Sequence, residues 1–168
     1  MKKILLISDT HSYIDDVILK YVKQADQVWH AGDIGNINIL DQIEKLCELK
    51  SVYGNIDNHI IRSVTSETNS FLCEKVKISI VHIAGNPPYF NSNTKKLIEI
   101  EKPKILVYGH SHILKVKFDK KNDILCINPG AAGRHGFHKK RTMIRFEINK
   151  HNIEKMEVID LGERSKIT

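Results

Sequence analysis

The chain opens with Lys2-Lys3-Ile4-Leu5-Leu6-Ile7-Ser8-Asp9-Thr10-His11. Ile4 to Ile7 is an unbroken apolar run closed on both sides by charged or polar residues. Such a run predicts a strand buried on both faces, as in the middle of a parallel sheet. It is too short for the apolar core of a secretory signal, and Ser8-Asp9 ends it. Outward from it, Ile14, Val17, Ile18, Tyr21 and Val22 recur at helical spacing and predict a helix over 14–25. Residues 27–31 read as a second short strand closing at Gly32. Ile39, Leu40, Ile43 and Leu46 predict a helix over 37–49, and Val52-Tyr53 ends a third strand at Gly54. Strand, helix, strand, helix, strand implies parallel strands joined by crossover helices.

The second half changes character. Residues 63–70 are a polar stretch. Val76, Ile78 and Ile80 alternate with polar residues and lead into Val81-His82-Ile83, which predicts a strand. A helix is expected over 94–101, stopped before Pro103, and a further apolar strand over 105–108. Residues 113–118 and 124–127 pair through the turn-like segment 120–123. Residues 143–148 and 153–159 form two closing strands, with Asn149 to Asn152 between them. No repeat or linker divides the chain, so a single mixed α/β domain over 1–168 is expected.

Composition narrows the class. The 168 residues suit one core, and 41% hydrophobic with 27% charged residues is the balance of a globular protein. Lys and Arg number 26 against 20 Asp and Glu, a formal charge of +6. That excess favours a phosphate-bearing or nucleic-acid partner, although paired lysines such as Lys95-Lys96 and Lys120-Lys121 read first as a solvated face. Cys47, Cys73 and Cys126 are odd in number and widely spaced, which argues against a disulfide framework and a thiolate metal site. No apolar run approaches the roughly 20 residues needed to span a bilayer. A reducing cytoplasmic setting without membrane contact is expected.

The chemistry lies at strand ends. Asp9, Asp33, Asn55, His82 and His110 each fall at or just past the end of a predicted strand, where open α/β sheets bind ligands. His11 and His112 follow two residues after Asp9 and His110. There the chain has left the strand, so residues i and i+2 can turn to the same side. Two carboxylates, an amide oxygen and four imidazoles, with no thiolate, suit Mn²⁺, Fe, Co²⁺, Ni²⁺ or Zn²⁺. Seven donors exceed the need of one four-coordinate ion. Two ions about 3.5–4 Å apart and sharing a carboxylate would use them all.

The ordered set Asp9-Thr10-His11, Gly32-Asp33, Gly54-Asn55-Ile56-Asp57, His82 and Gly109-His110-Ser111-His112 resembles the calcineurin-like metallophosphoesterases. The small size and Asn128-Pro129-Gly130 resemble its YfcE-like branch of small phosphodiesterases. The resemblance runs from about Lys3 to about Leu161. It implies a four-layer α-β-β-α sandwich. It also implies that Asp9, His11 and His112 hold one ion, that Asn55, His82 and His110 hold the other, and that Asp33 bridges them. Asp33, Asn55 and His82 are taken as catalytic too. Manganese is the first expectation, with zinc, nickel, iron or cobalt as alternatives. The substrate would be a phosphate ester or nucleotide, and a homo-oligomer is expected by resemblance.

The expected reaction is in-line attack on a phosphodiester by hydroxide held between the ions. Three departures from the family pattern bear on it. Ile56 stands where many relatives carry a histidine that protonates the leaving group, so activated aryl esters should react better than alkyl esters. Glycine comes later after His82, at Gly85. Ala131 replaces a common serine. Around the site, His30 could orient a ligand or simply pack. Asp57 is read as a turn stabiliser and His59 as exposed. Arg134, His135 and His138 are read as a surface loop that could touch phosphate. Two other readings compete: a non-enzymatic scaffold resembling the metallophosphoesterase-like subunit of retromer, and a nuclease. Filled ligand positions count against the first, and the lack of an aromatic ladder or nucleic-acid motif counts against the second.

Overall fold

The apolar run at the start of the chain forms strand β1 (Lys2–Ile7), whose residues Ile4 to Ile7 are at most 1% exposed. The reason for an unbroken run is visible in the packing. Ile4 and Leu6 face one core, and Leu5 and Ile7 face another. The computed structural model describes residues 1–165. After β1 come α1 (Asp16–Val22), β2 (Gln27–His30), α2 (Ile37–Glu44), β3 (Glu48–Ser51), α3 (His59–Val64), β4 (Thr68–Cys73) and β5 (Val76–Val81). Then follow β6 (Gly85–Asn86), β7 (Tyr89–Phe90), α4 (Ser92–Glu101), β8 (Ile105–Val107), β9 (Leu114–Asp119), β10 (Ile124–Pro129), β11 (Lys140–Asn149) and β12 (Asn152–Glu163).

Two five-stranded sheets result, ordered β12-β11-β1-β2-β3 and β4-β5-β8-β10-β9. Within each, three strands are parallel: β1, β2 and β3 in the first, and β5, β8 and β10 in the second. Antiparallel strands flank them. Ile4, Leu6, Trp29, Ile78, Ile80, Val107, Ile127 and Phe146 fill the space between the sheets. Trp29 is wholly buried, edge-on to Phe71 and Phe146, and its indole N–H donates to Gln27 Oε1 at 3.0 Å. Leu5, Ile7 and Val28 meet Ile18, Val22, Ile39, Leu40 and Ile43 of α1 and α2 on one outer side. Leu106, Tyr108 and Cys126 meet Ile98 of α4 on the other. The expected order of helix, sheet, sheet and helix is the one found.

Asp15, Asn36, Asn58 and Asn91 cap the four helices by accepting backbone N–H groups with their side chains. The helix expected over 37–49 is shorter. It ends at Glu44, and Glu48–Ser51 is strand β3, in parallel register with β2 from Gln27↔Glu48 to His30↔Ser51. Sheet pairing overrides the local helical preference of Glu48-Leu49-Lys50. The polar stretch over 63–70 hides the end of α3 and the start of β4. Its polarity fits an edge strand, and Ser70 shares a hydrogen bond with Ser79 of β5 at 2.7 Å. The short β6–β7 hairpin was also not expected. No helix among the described residues is long and apolar enough to cross a membrane.

Candidate metal centre

The carboxyl ends of both parallel triplets open at the same mouth. The first sheet delivers Asp9 and His11 after β1, Asp33 after β2 and Asn55 after β3. The second delivers His82 after β5, and His110 and His112 after β8. The backbone turns sharply at these residues. Asp9, His11, Asp33, His110 and His112 have φ of 53°, 45°, 54°, 69° and 58°. This left-handed region is uncommon for side-chain-bearing residues, although Asp and His tolerate it better than most. Cross-loop hydrogen bonds hold it: Asp9 N to Gly32 O, His11 N to Asp33 O, and Gly109 N to His82 O, each at 3.0 Å. The turn sends both side chains of Asp9-Thr10-His11, and both of His110-Ser111-His112, into the mouth.

The donors gather into two groups that share one residue. Ligating atoms of Asp9, His11, Asp33 and His112 all lie within 4.8 Å of one another, and so do those of Asp33, His82 and His110. In the first group, His11 Nε2 is 3.3 Å from His112 Nε2 and 3.6 Å from Asp33 Oδ2, and His112 Nε2 is 3.3 Å from Asp9 Oδ1. In the second, His82 Nε2 lies 3.2 Å from Asp33 Oδ1. Asn55 Oδ1 joins it, 3.1 Å from His82 Nε2 and 3.0 Å from His110 Nδ1. The seven residues expected to act together are thus brought together, and Asp33 turns one oxygen to each group.

The donor atoms fit a cation. Asp9 Oδ2 accepts from Ser8 Oγ at 2.6 Å and from His110 N at 3.2 Å. Its other oxygen, Oδ1, is buried without a hydrogen bond, although it faces His112. A buried carboxylate oxygen left unpaired is costly unless a cation meets it. The imidazoles are set to present lone pairs. His82 Nδ1 donates to Ala31 O at 2.7 Å, which leaves Nε2 as a free acceptor. His138 Nε2 donates to Gly133 O at 3.0 Å, so its Nδ1 accepts from His112 Nδ1 at 3.1 Å, and His112 Nε2 is left facing the cluster.

Electrostatics follow the same geometry. Burial pushes the Asp33 carboxyl up, but hydrogen bonding and charge from His82, the Ile56 N–H and His11 together hold it below the ordinary carboxylate value. Burial also depresses His82, yet Asp33, Asp9 and the Ala31 carbonyl raise it overall. His11 ends lowered, with burial outweighing Asp33 and Asp9. His30 is wholly buried and depressed to about 4, chiefly by desolvation.

The residues behind the donors act largely as expected. His30 does orient the site, through backbone: its Nδ1 accepts from Gly32 N at 3.1 Å, and its Nε2 donates to Thr10 Oγ1 at 3.0 Å. Asp57 stabilises turns, as read. Its carboxylate accepts from Gly54 N, Gly35 N and Ile34 N at 2.7, 2.7 and 3.1 Å, tying the Asn55 loop to the Asp33 loop. A side chain at Gly54 would collide with the Asp33 carboxylate and backbone nitrogen. His59 is exposed, as expected.

The loop after Asn128 needs correction. His138 is not a mere surface residue but the support of His112. A side chain at Gly136 would strike the His112 ring. His135 is exposed, with its ring centroid 4.9 Å from that of His11. Arg134 is turned to the Tyr13 ring and the Arg164 carbonyl. Asn128 donates to Gly109 O and Ser111 Oγ at 2.9 and 3.1 Å and so fixes the His110 loop. Only the cluster of His135 and His138 in one glycine-bearing segment could have signalled this support from sequence.

The chain is similar to several known proteins. A probable metallophosphoesterase of Methanocaldococcus jannaschii is 30% identical over 135 residues, covering 75% of this chain and 66% of the relative. Among solved structures, zinc-complexed Vps29 of Entamoeba histolytica has a TM-score of 0.73 at 21% identity, over 94% of this chain and 98% of that one. A structure described as a novel archaeal phosphodiesterase has a TM-score of 0.71 at 21% identity, over 95% and 99%. The model of the calcineurin-like phosphoesterase superfamily domain matches residues 1–151. With that match over most of its length, the chain belongs to the calcineurin-like phosphoesterase superfamily.

Proposed function

We propose that this chain is a phosphodiesterase using two divalent transition-metal ions. Asp9, His11, Asp33 and His112 hold one, and Asp33, Asn55, His82 and His110 hold the other. The observation that carries the reading is the shared Asp33, with one oxygen facing each donor group. The oxygen and imidazole donors suit manganese, zinc, nickel, iron or cobalt, and manganese is the first to test. When bound, the two cations would acidify water and neutralise the phosphoryl oxygens.

The chain's own residues set the rest. Asp33, Asn55 and His82 form the centre of the site, and the Ala31 carbonyl fixes the His82 tautomer so that no proton blocks its Nε2. Ile56 is 47% exposed beside Asn55, and its contribution is a backbone N–H to Asp33 Oδ1 at 3.2 Å. It has no proton to give, so the leaving oxygen must depart with help from solvent, metal or another residue. Esters with acidic leaving groups should therefore react faster than alkyl esters. Equal rates across leaving groups of different pKa would contradict this. A monoester and a diester of nitrophenol, assayed side by side, decide between the two phosphoesterase types.

The scaffold reading is kept by one observation, the likeness to Vps29. One of those structures is described as a zinc complex, so metal binding alone does not separate scaffold from enzyme. Turnover does. Metal content and phosphodiesterase rate should be measured with Mn²⁺, Zn²⁺, Ni²⁺ and Mg²⁺ for the parent, Asp33→Ala and Asn55→Ala. The proposal expects both substitutions to lower both quantities. Metal uptake without turnover on any phosphodiester would return the scaffold reading to first place.

A further inference from the structure

A cleft of about 350 Å³ opens beside the second donor group, and Asn55 and His82 form part of its wall. A larger cleft of about 500 Å³ lies near Lys3 and Arg145, at the opposite end of β1, and none of the seven donors lines it. The smaller cleft is lined further by Tyr53, Arg62, Glu67, Thr68, Ile83 and Asn93. Arg62 is held in place. Its guanidinium carbon lies 4.5 Å from the Tyr53 ring centroid, and it donates to Asp57 O at 2.7 Å and Gly54 O at 3.2 Å. The lining therefore combines a cation fixed over the Tyr53 ring, a carboxylate, an amide and a hydroxyl with the apolar side chain of Ile83.

We propose that this cleft receives the non-leaving arm of the substrate, and that the arm is a polar heterocyclic group of nucleoside size. The inference rests on the phosphodiesterase reading and specifies its substrate class. A phosphorus atom held at the shared centre has one ester arm within reach of Asn55 and His82, which border both the donor group and the cleft. The volume falls at the small end of ligand pockets, about 300–1,000 Å³. A hydrocarbon arm would strip water from Arg62, Glu67 and Asn93 without replacing their hydrogen bonds. A methyl arm would leave the cleft to water. A nucleoside offers both hydrogen-bonding edges and flat faces.

Two substrates with the same leaving group test this: thymidine 5′-(p-nitrophenyl) phosphate and methyl p-nitrophenyl phosphate, each with the Mn²⁺-loaded protein. The parent is expected to prefer the thymidine ester in kcat/KM by about tenfold or more. Asn93→Trp, at an exposed position, fills the cleft and should reduce that preference towards unity, with the thymidine ester losing far more than the methyl ester. Thr68→Trp blocks it from a different wall and should do the same. A parent without the preference, or a preference unmoved by both variants, overturns the inference while the phosphodiesterase reading stands. Equal loss of both substrates in both variants also overturns it, because the cleft would then serve the architecture and not the arm. No turnover of either substrate by the parent overturns both readings.

Discussion

The two halves of the donor cluster are built to different standards of charge and enclosure. Asp9, His11 and His112 join the shared Asp33, giving two carboxylates, and Asp9 is wholly buried. Asn55, His82 and His110 have Asp33 as their one carboxylate, and Asn55 and His110 are exposed. His138 backs the first half, whereas the cleft borders the second. More anionic donors and firmer support favour tighter cation binding. On the proposed function, the first half would hold its cation more tightly, and the second, with Asn55 and His110 exposed, would face solvent and substrate.

The largest expected effect erases the comparison. Asp33→Ala removes the residue common to both halves and should lower phosphodiesterase kcat by about a thousandfold or more, with metal content falling in both. Asp9→Asn should sharpen it: calorimetric titration with Mn²⁺ should lose the tighter binding event and keep the weaker one. Loss of the weaker event instead would reverse the ranking of the halves.

His138→Ala comes next. It leaves the His112 Nδ1 proton without its acceptor and should weaken the tighter event by roughly 10–100-fold while sparing the weaker. His138→Gln, whose side-chain carbonyl can accept, should recover part of the loss. Equal weakening of both events would show that the loop supports the whole mouth.

The smallest effect concerns the frame beside the first half. Asp15 caps α1 and pairs with the buried Arg141 at 2.9 Å. Asp15→Ala should cost about 2 kcal/mol of stability, read by denaturant titration, with little change in metal affinity. Burial raises the Asp15 carboxyl, but the Ile18 N–H, Arg141 and Tyr13 outweigh it and leave it lowered. Its folded pKa lies below the unfolded one, so its contribution is present above the ordinary carboxylate range and fades as pH falls through the lowered value. The variant should lack that part of the acid dependence.

Legibility in the sequence followed distance along the chain. The strand run Ile4–Ile7 revealed the sheet because each of its residues is buried, whichever face it takes. The seven donors stood out because strand ends are marked by apolar runs that stop, and because Asp, Asn and His are the residues that both ligate metals and tolerate tight turns. β4 stayed hidden because an edge strand beginning Thr68-Asn69-Ser70 carries little apolar signal. His138 stayed hidden because its partner His112 lies 26 residues away and nothing local marks the contact. Asp57 was readable as a turn residue, but not as the clasp between two loops.

The sequence alone therefore determined the donor set, their order and their attachment to strand ends, since these depend on residue type and on local periodicity. Tertiary structure decided how the donor atoms are aimed at one another, because that depends on two separate sheets opening at one mouth and on the direction in which each carboxylate oxygen and imidazole nitrogen is turned by its hydrogen bonds. The difference between the enclosed donor group and the open one beside the cleft arises at that level, where residues far apart in the chain first share a dielectric and a set of neighbours.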